Sequence, residues 1–253
     1  MKKLSLLAGL ALLLLQACEK DSTAAGLSGK SGSITRFAIH QGYMYVLNLN
    51  EVRTYSLTNP DQPVLVHRLE TNYGLETIII YDNTIYLGSS TALYILDISN
   101  PAAPVILSQT NRDVEFLGGC DPVVVKGNYA YSTVKIIQNI CGMVAAESAL
   151  LVYDISNKSA PVLVGTYLLN MPNGLGYKDN YLFVCDAGTD RLEVFDISDP
   201  LALTLLSNFS VNISDPYDLI IEGSKMIVST QTDFQIFDLQ NLPELKRAGL
   251  ILK

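Results

Sequence analysis

From Ile34 onward the chain is a succession of short apolar runs broken by Asp, Asn, Gly, Ser and Pro, and no stretch keeps a helical period of useful length. Some runs are apolar without alternation, as in Thr77-Ile78-Ile79-Ile80, Pro122-Val123-Val124-Val125 and Leu219-Ile220-Ile221. A strand with no polar side must be covered on both faces. After such runs come pairs that tolerate positive φ: Gln41-Gly42, Asp82-Asn83, Gly127-Asn128, Asp179-Asn180 and Gly223-Ser224. These predict tight hairpins leading into second strands such as Tyr129-Ala130-Tyr131 and Tyr181-Leu182-Phe183-Val184. A third strand ends in Asp-Ile-Ser or a variant of it, and a fourth carries Pro-Val-Leu-Val or a variant.

This four-strand unit recurs. The clearest copies read LYILDISNPAAPVIL from Leu93, LLVYDISNKSAPVLV from Leu150 and LEVFDISDPLALTLL from Leu192. Weaker copies are VRTYSLTNPDQPVLV from Val52 and FQIFDLQNLPELKRA from Phe234. The shared acid falls at Asp97, Asp154, Asp196 and Asp238, with Ser56 in its place in the first copy, so the intervals are 41, 57, 42 and 42 residues. A period of about 42 residues is the size of one propeller blade. The long interval marks an insertion of 57 − 42 = 15 residues in the third copy, over 134–148. The expected fold is all-β: a single β-propeller of five four-stranded antiparallel blades over residues 34–253. A solenoid would need polar capping repeats, and none is present. Ring closure has two open solutions. Either the last strand, near Leu245 to Leu252, abuts blade one, or residues near Ser31 pair with that strand.

The Leu-x-Val-x-Asp-Ile-Ser-(Asn/Asp)-Pro-x-x-Pro-x-Leu-Val pattern resembles the LVIVD-repeat proteins, a group of bacterial surface β-propellers. The resemblance runs through all five copies and is sharpest in copies two to four. Copy one lacks the Asp, and copy five lacks the Asn-Pro pair. The resemblance implies a propeller and an envelope location, and it implies no reaction, because a scaffold does not fix an activity.

The N-terminus fits that location. Met1-Lys2-Lys3 precedes an apolar run from Leu4 to Leu15, too short to span a bilayer and patterned as a secretory signal. Leu15-Gln16-Ala17-Cys18 resembles the lipobox of bacterial lipoproteins, which makes 1–17 a signal peptide and Cys18 the lipid-attachment residue. Acyl chains on Cys18 would make the membrane itself a partner, at the bacterial outer membrane, on the cell surface or the periplasmic side. Glu19-Lys20-Asp21 resembles the surface-export signal of Bacteroidetes lipoproteins. The Ser-, Gly- and Ala-rich remainder of 18–33 reads as a flexible tether. Without Lys2 and Lys3, 17 − 2 = 15 basic residues stand against 25 acidic ones. An anionic domain with no Lys/Arg cluster is a poor partner for nucleic acid. The domain is expected to be monomeric.

Little in the sequence looks catalytic. The repeated Asp precedes a turn in four copies, and that recurrence assigns it to holding the turn's own N–H groups. Two histidines, His40 and His67, are too few for a histidine-rich metal site, and no serine or cysteine triad is recognisable. Gly29-Lys30-Ser31 lacks the upstream glycine and strand of a phosphate-binding loop. Asp186-Ala187-Gly188-Thr189-Asp190 reads as a turn, although its two carboxylates also suit Ca²⁺. No cofactor and no metal site is therefore expected. Cys185 lies in an apolar strand as a small buried residue. Cys120 precedes the first strand of blade three and Cys141 lies in the insertion after the second, so both fall on one face of the disc. In an oxidising compartment this predicts a Cys120–Cys141 disulfide.

The insertion breaks the period, and the segments entering the inner strands on its face supply Tyr73, Glu76, Asp121, Asn173, Asp215 and Tyr217. This polar, partly acidic ring is the candidate binding face, the alternative being that these residues only cap strand ends and hold water. It is suited to a cation, a polyol or a basic peptide. The leading expectation is a non-enzymatic binding or scaffolding module for a protein or a glycan. Two alternatives stay open. One is a propeller lyase or glycoside hydrolase using Glu76, Asp121 and Asp215, which would need two carboxyls about 5–10 Å apart. The other is a purely structural envelope component. The chain has no Trp but 14 Tyr, so sugar stacking would fall to tyrosine.

Overall fold

The computed structural model describes residues 29–32, 36–72, 74–89, 92–111, 122–135 and 148–253. Cys18, Tyr73, Cys120, Asp121 and Cys141 lie outside the described residues, and with them the lipid-attachment site and the expected disulfide.

The described chain forms five antiparallel sheets and no helix. Blade one is Phe37–His40, Tyr43–Asn48, Glu51–Ser56 and Val64–Glu70. Blade two is Leu75–Tyr81, Thr84–Ser89, Ala92–Asp97 and Val105–Asn111, and blade three is Val123–Lys126, Tyr129–Val134, Ala149–Asp154 and Val162–Leu168. Blade four is Pro172–Lys178, Tyr181–Asp186 and Arg191–Asp196, with an outer strand split into Thr204–Leu205 and Val211–Asn212. Blade five is Asp218–Glu222, Lys225–Ser229, Asp233–Asp238 and Lys246–Leu252. The split follows from turn residues where the other copies continue a strand: the Phe209 N–H donates to the Leu206 carbonyl at 2.9 Å.

The repeated residues perform the same local tasks in every copy. Gln41, Gly42, Asp82, Gly127, Asp179 and Gly223 sit at positive φ in the first hairpins, as the tight turns require. The Oδ1 of Asp97, Asp154 and Asp196 accepts the N–H of Ser99, Ser156 and Ser198 at 2.8 Å, and Asp238 accepts that of Gln240 at 2.9 Å. Ser56 substitutes its hydroxyl in blade one, accepting from the Thr58 N–H at 3.4 Å. One residue further on, Leu57, Ile98, Ile155, Ile197 and Leu239 donate to the carbonyls of Gly42, Asn83, Asn128, Asn180 and Ser224. Each Asp-Ile-Ser segment thus ties its own turn to the neighbouring hairpin, and the repeated acid is structural. The hydroxyl and N–H of Ser99 hold the Asp97 carboxyl below the usual carboxylate range, and the N–H and hydroxyl of Ser156 do the same for Asp154.

The core lies between blades rather than in a central mass. One apolar cluster joins blades one and two, around Tyr45, Leu47, Leu87 and Tyr94. Others join two with three around Tyr86 and Val123, three with four around Val124 and Tyr131, and four with five around Phe183 and Phe237. Among the described residues no such cluster joins blade five to blade one.

One segment departs from expectation. Residues 29–32 fall in the presumed tether, yet Gly29–Gly32 forms a strand antiparallel to the first strand of blade four, with Ser31 opposite Gly176. It also lies against the first strands of blades two, three and five, which places it in the central channel. The residues near Ser31 therefore pair with blade four and not with the last strand. A composition that buries no core of its own can still complete a ladder when inner strands surround it.

Candidate functional site

On the face from which the insertion departs, second strands end, third strands begin and the chain enters each first strand. The structure brings Asn173, Asp215 and Tyr217 together there. Asn173 is 4% exposed, and its side-chain amide donates to the Pro216 carbonyl at 3.1 Å. Its Oδ1 accepts the amine of Lys135 at 3.1 Å, and its backbone carbonyl accepts the Thr133 hydroxyl at 2.8 Å. One asparagine thus links blades three, four and five at the foot of the insertion. It is spent on structure, so the exposed members of the group are Asp215 and Tyr217, the latter 49% exposed.

Asp215 sits at φ 47 and donates its backbone N–H to Asp190 Oδ1 at 2.7 Å. The Tyr217 carbonyl accepts the Gly174 N–H at 2.9 Å. At Gly174 a Cβ would come within 2.7 Å of the Asp218 backbone, so this close approach of blades four and five requires glycine. Glu76 is half-buried on the first strand of blade two. Tyr73 and Asp121 would complete the ring but are outside the described residues.

The loop with the two carboxylates is a staple. Asp186 is 1% exposed; its Oδ1 accepts the N–H groups of Met171 at 2.8 Å and Gly188 at 3.1 Å, and its Oδ2 accepts that of Asn170 at 3.0 Å. A carboxylate whose two oxygens bind three backbone donors fastens the entry to blade four onto its own second hairpin. Next to it, burial pushes the Cys185 thiol well above its ordinary pKa, with the Asp218 charge adding to the effect. The thiol is therefore a small apolar filler and not a nucleophile. Among the described residues no three of His, Cys, Asp and Glu converge as metal ligands.

Lys135 and Asp186 are the polar anchors of this face that sequence reasoning undervalued. A lone lysine directly after the apolar end of Tyr129–Val134 was the available signal for the first.

Five four-stranded sheets arranged around inner first strands define a β-propeller. The LVIVD repeat family matches this chain over residues 76–111, 118–135, 143–168 and 175–212. Curated proteins yield no match to the sequence. Among solved structures, a functionally unknown protein from Desulfotomaculum acetoxidans superposes with TM-score 0.68 at 13% identity, over 87% of this chain and 69% of that one. A chain of a nidogen/laminin complex gives TM-score 0.56 at 16% identity, over 88% and 79%. The periplasmic gluconolactonase of Pseudomonas aeruginosa gives 0.57 at 13% identity, over 70% and 53%. At these identities the likeness concerns the fold alone.

Proposed function

We propose that this propeller is a non-enzymatic binding or scaffolding module, lipid-anchored through Cys18 at the bacterial outer membrane, that engages a protein or glycan through the face bearing Asp215 and Tyr217. The observation that carries this reading is the Asn173 network. It fixes three blades around the foot of an insertion that the repeat does not need, which is the arrangement of a rigid scaffold under a recognition loop. The carboxylates seen around it support the same reading. Asp186 and Asp190 accept backbone N–H groups, a use that positions loops and leaves them ill-placed for proton transfer. A solved neighbour occurs in a protein–protein complex, which is consistent with a binding role for such a scaffold. The gluconolactonase likeness is the point in favour of hydrolysis.

The test is a comparative pull-down from intact cells, with the full chain beside a variant whose residues 136–147 are replaced by a short turn. A protein or glycan retained by the first and lost by the second is expected. Identical recoveries from two folded baits would refute loop-centred binding. Cys18→Ser is expected to move the chain from the membrane to the soluble fraction, and retention in the membrane would refute the anchor.

A further inference from the structure

The four internal junctions share one construction. In blade three, Val124 and Tyr131 point forward into the cluster shared with blade four, and both are essentially buried, at 0% and 1% exposure. Val123 and Val125 point backward into the cluster shared with blade two and are equally buried. Successive strand residues alternate between faces, so each blade has one forward and one backward apolar side.

Aligning the repeats on the tight turn sets Lys126-Gly127-Asn128 beside Glu222-Gly223-Ser224 and His40-Gln41-Gly42. Ile220 and Ile227 then occupy the positions of Val124 and Tyr131, while Phe37 and Ile39 occupy those of Val123 and Val125. In these two blades the same positions lie open: Ile220 is 53% exposed, Ile227 39%, Phe37 53% and Ile39 60%. They are not isolated. Ile220 pairs across strands with Ile227, and Ile227 with Ile236; Phe37 pairs with Val46 and Ile39 with Met44. The blades thus form an arc that ends in an apolar forward face on blade five and an apolar backward face on blade one. Contiguous apolar patches of this kind mark interaction surfaces.

We propose that these two faces join copies of this chain head to tail, blade five of one molecule seating on blade one of the next. The occupant follows from the repeat itself. A forward face is shaped to receive a backward face of the same unit, as four junctions within the molecule demonstrate, and a second copy presents the matching surface to each end. Charge is compatible with this. Neither face carries a block of one sign: Arg53 and Arg68 gather on Glu51 at the blade-one face, and on the blade-five face Lys225 pairs with Asp238 and stands opposite Glu222, with Lys246 opposite Asp238. Because the surfaces are different, the contact is heterologous: it closes into a ring if the rotation allows and otherwise extends into a chain. Closure of the arc on itself and capture of an unrelated partner are the competing occupants.

The test uses the full-length chain in mild detergent, with mass followed by sedimentation over a concentration series, for the parent and for Ile39→Lys and Ile220→Lys. Both side chains are more than half exposed, so both variants are expected to keep the parent's circular dichroism and melting curve. The parent should gain mass with concentration, and each variant alone should stay at the mass of one chain. An equimolar mixture of the two should form a two-chain species and nothing larger, since one variant keeps an intact blade five and the other an intact blade one. A parent that stays at one-chain mass throughout overturns the proposal, as does association of either variant alone or failure of the mixture to pair.

Discussion

Replacing Asp186 isolates what its carboxylate does. Its two oxygens hold the N–H groups of Asn170, Met171 and Gly188, and the side chain is 1% exposed, so water cannot take over those bonds. Hydrogen bonds to a charged group contribute about 1.5–3 kcal/mol each, and donors left unpaired in a buried site cost a similar amount. Loop relaxation recovers part of that sum, so Asp186→Ala is expected to destabilise by about 3–5 kcal/mol. Asp186→Asn is the sharper experiment. Its amide oxygen can serve Met171 and Gly188, but its NH₂ then faces the Asn170 N–H, donor against donor, and a loss of about 2–3 kcal/mol remains. Urea unfolding followed by tyrosine fluorescence reads both variants. With a urea slope of about 1–3 kcal/mol per molar, the alanine variant should shift the midpoint by about 1–5 M. A midpoint unchanged in the alanine variant, or an asparagine variant equal to the parent, would refute the staple. The parent curve should also be indifferent to EDTA; a drop on chelation would mean that the carboxylate serves a metal instead.

Tyr131→Ala removes an aromatic ring buried between blades three and four and should cost about 3–5 kcal/mol, whereas Ile227→Ala at the equivalent place in blade five should cost less than about 1.5. Equal losses in urea melts of dilute protein would contradict the open end face. Gly174→Ala forces a Cβ against the Asp218 backbone at 2.7 Å and should destabilise by about 1–3 kcal/mol, measured in the same way. Hydrogen bonds from Asn48, Arg53 and Arg68 hold the Glu51 carboxyl down at about 2 against an ordinary 4.5. A lowered folded-state pKa gives stability that is complete above 4.5 and disappears as pH falls from there toward 2. The gap in urea midpoint between the parent and Glu51→Gln should therefore close over that window, and a gap independent of pH would refute the assignment.

Local chemistry was legible in the residues, and distant partnership was not. The Asp-Ile-Ser turn could be read because its hydrogen bond spans two residues, and the hairpins because Gly or Asp must occupy positive φ. Cys185 reads as buried because apolar neighbours surround it in the strand. The role of Asn173 was hidden, since Lys135 and Pro216 stand 38 and 43 residues away. Nothing in the apolar runs distinguishes Ile220 from Val124; only the presence or absence of a following blade separates their exposures. Gly29–Gly32 fits any loose linker, and its pairing is decided by the strands around it.

That inner strand also gives the domain a direction. Gly29 lies opposite Lys178, at the end of blade four that carries the Asp179-Asn180 turn, and Gly32 lies opposite Leu175, nearer the Asn173 face. The backbone therefore threads the disc from the Asp-Ile-Ser side toward the side of the insertion. Ten residues, 19–28, separate Gly29 from Cys18 and can reach at most about 35 Å when fully extended. An acyl anchor at Cys18 would then hold the Asp-Ile-Ser turns toward the bilayer and leave Asp215 and Tyr217 pointing away from it, like a dish fixed to a wall by a stem through its hub.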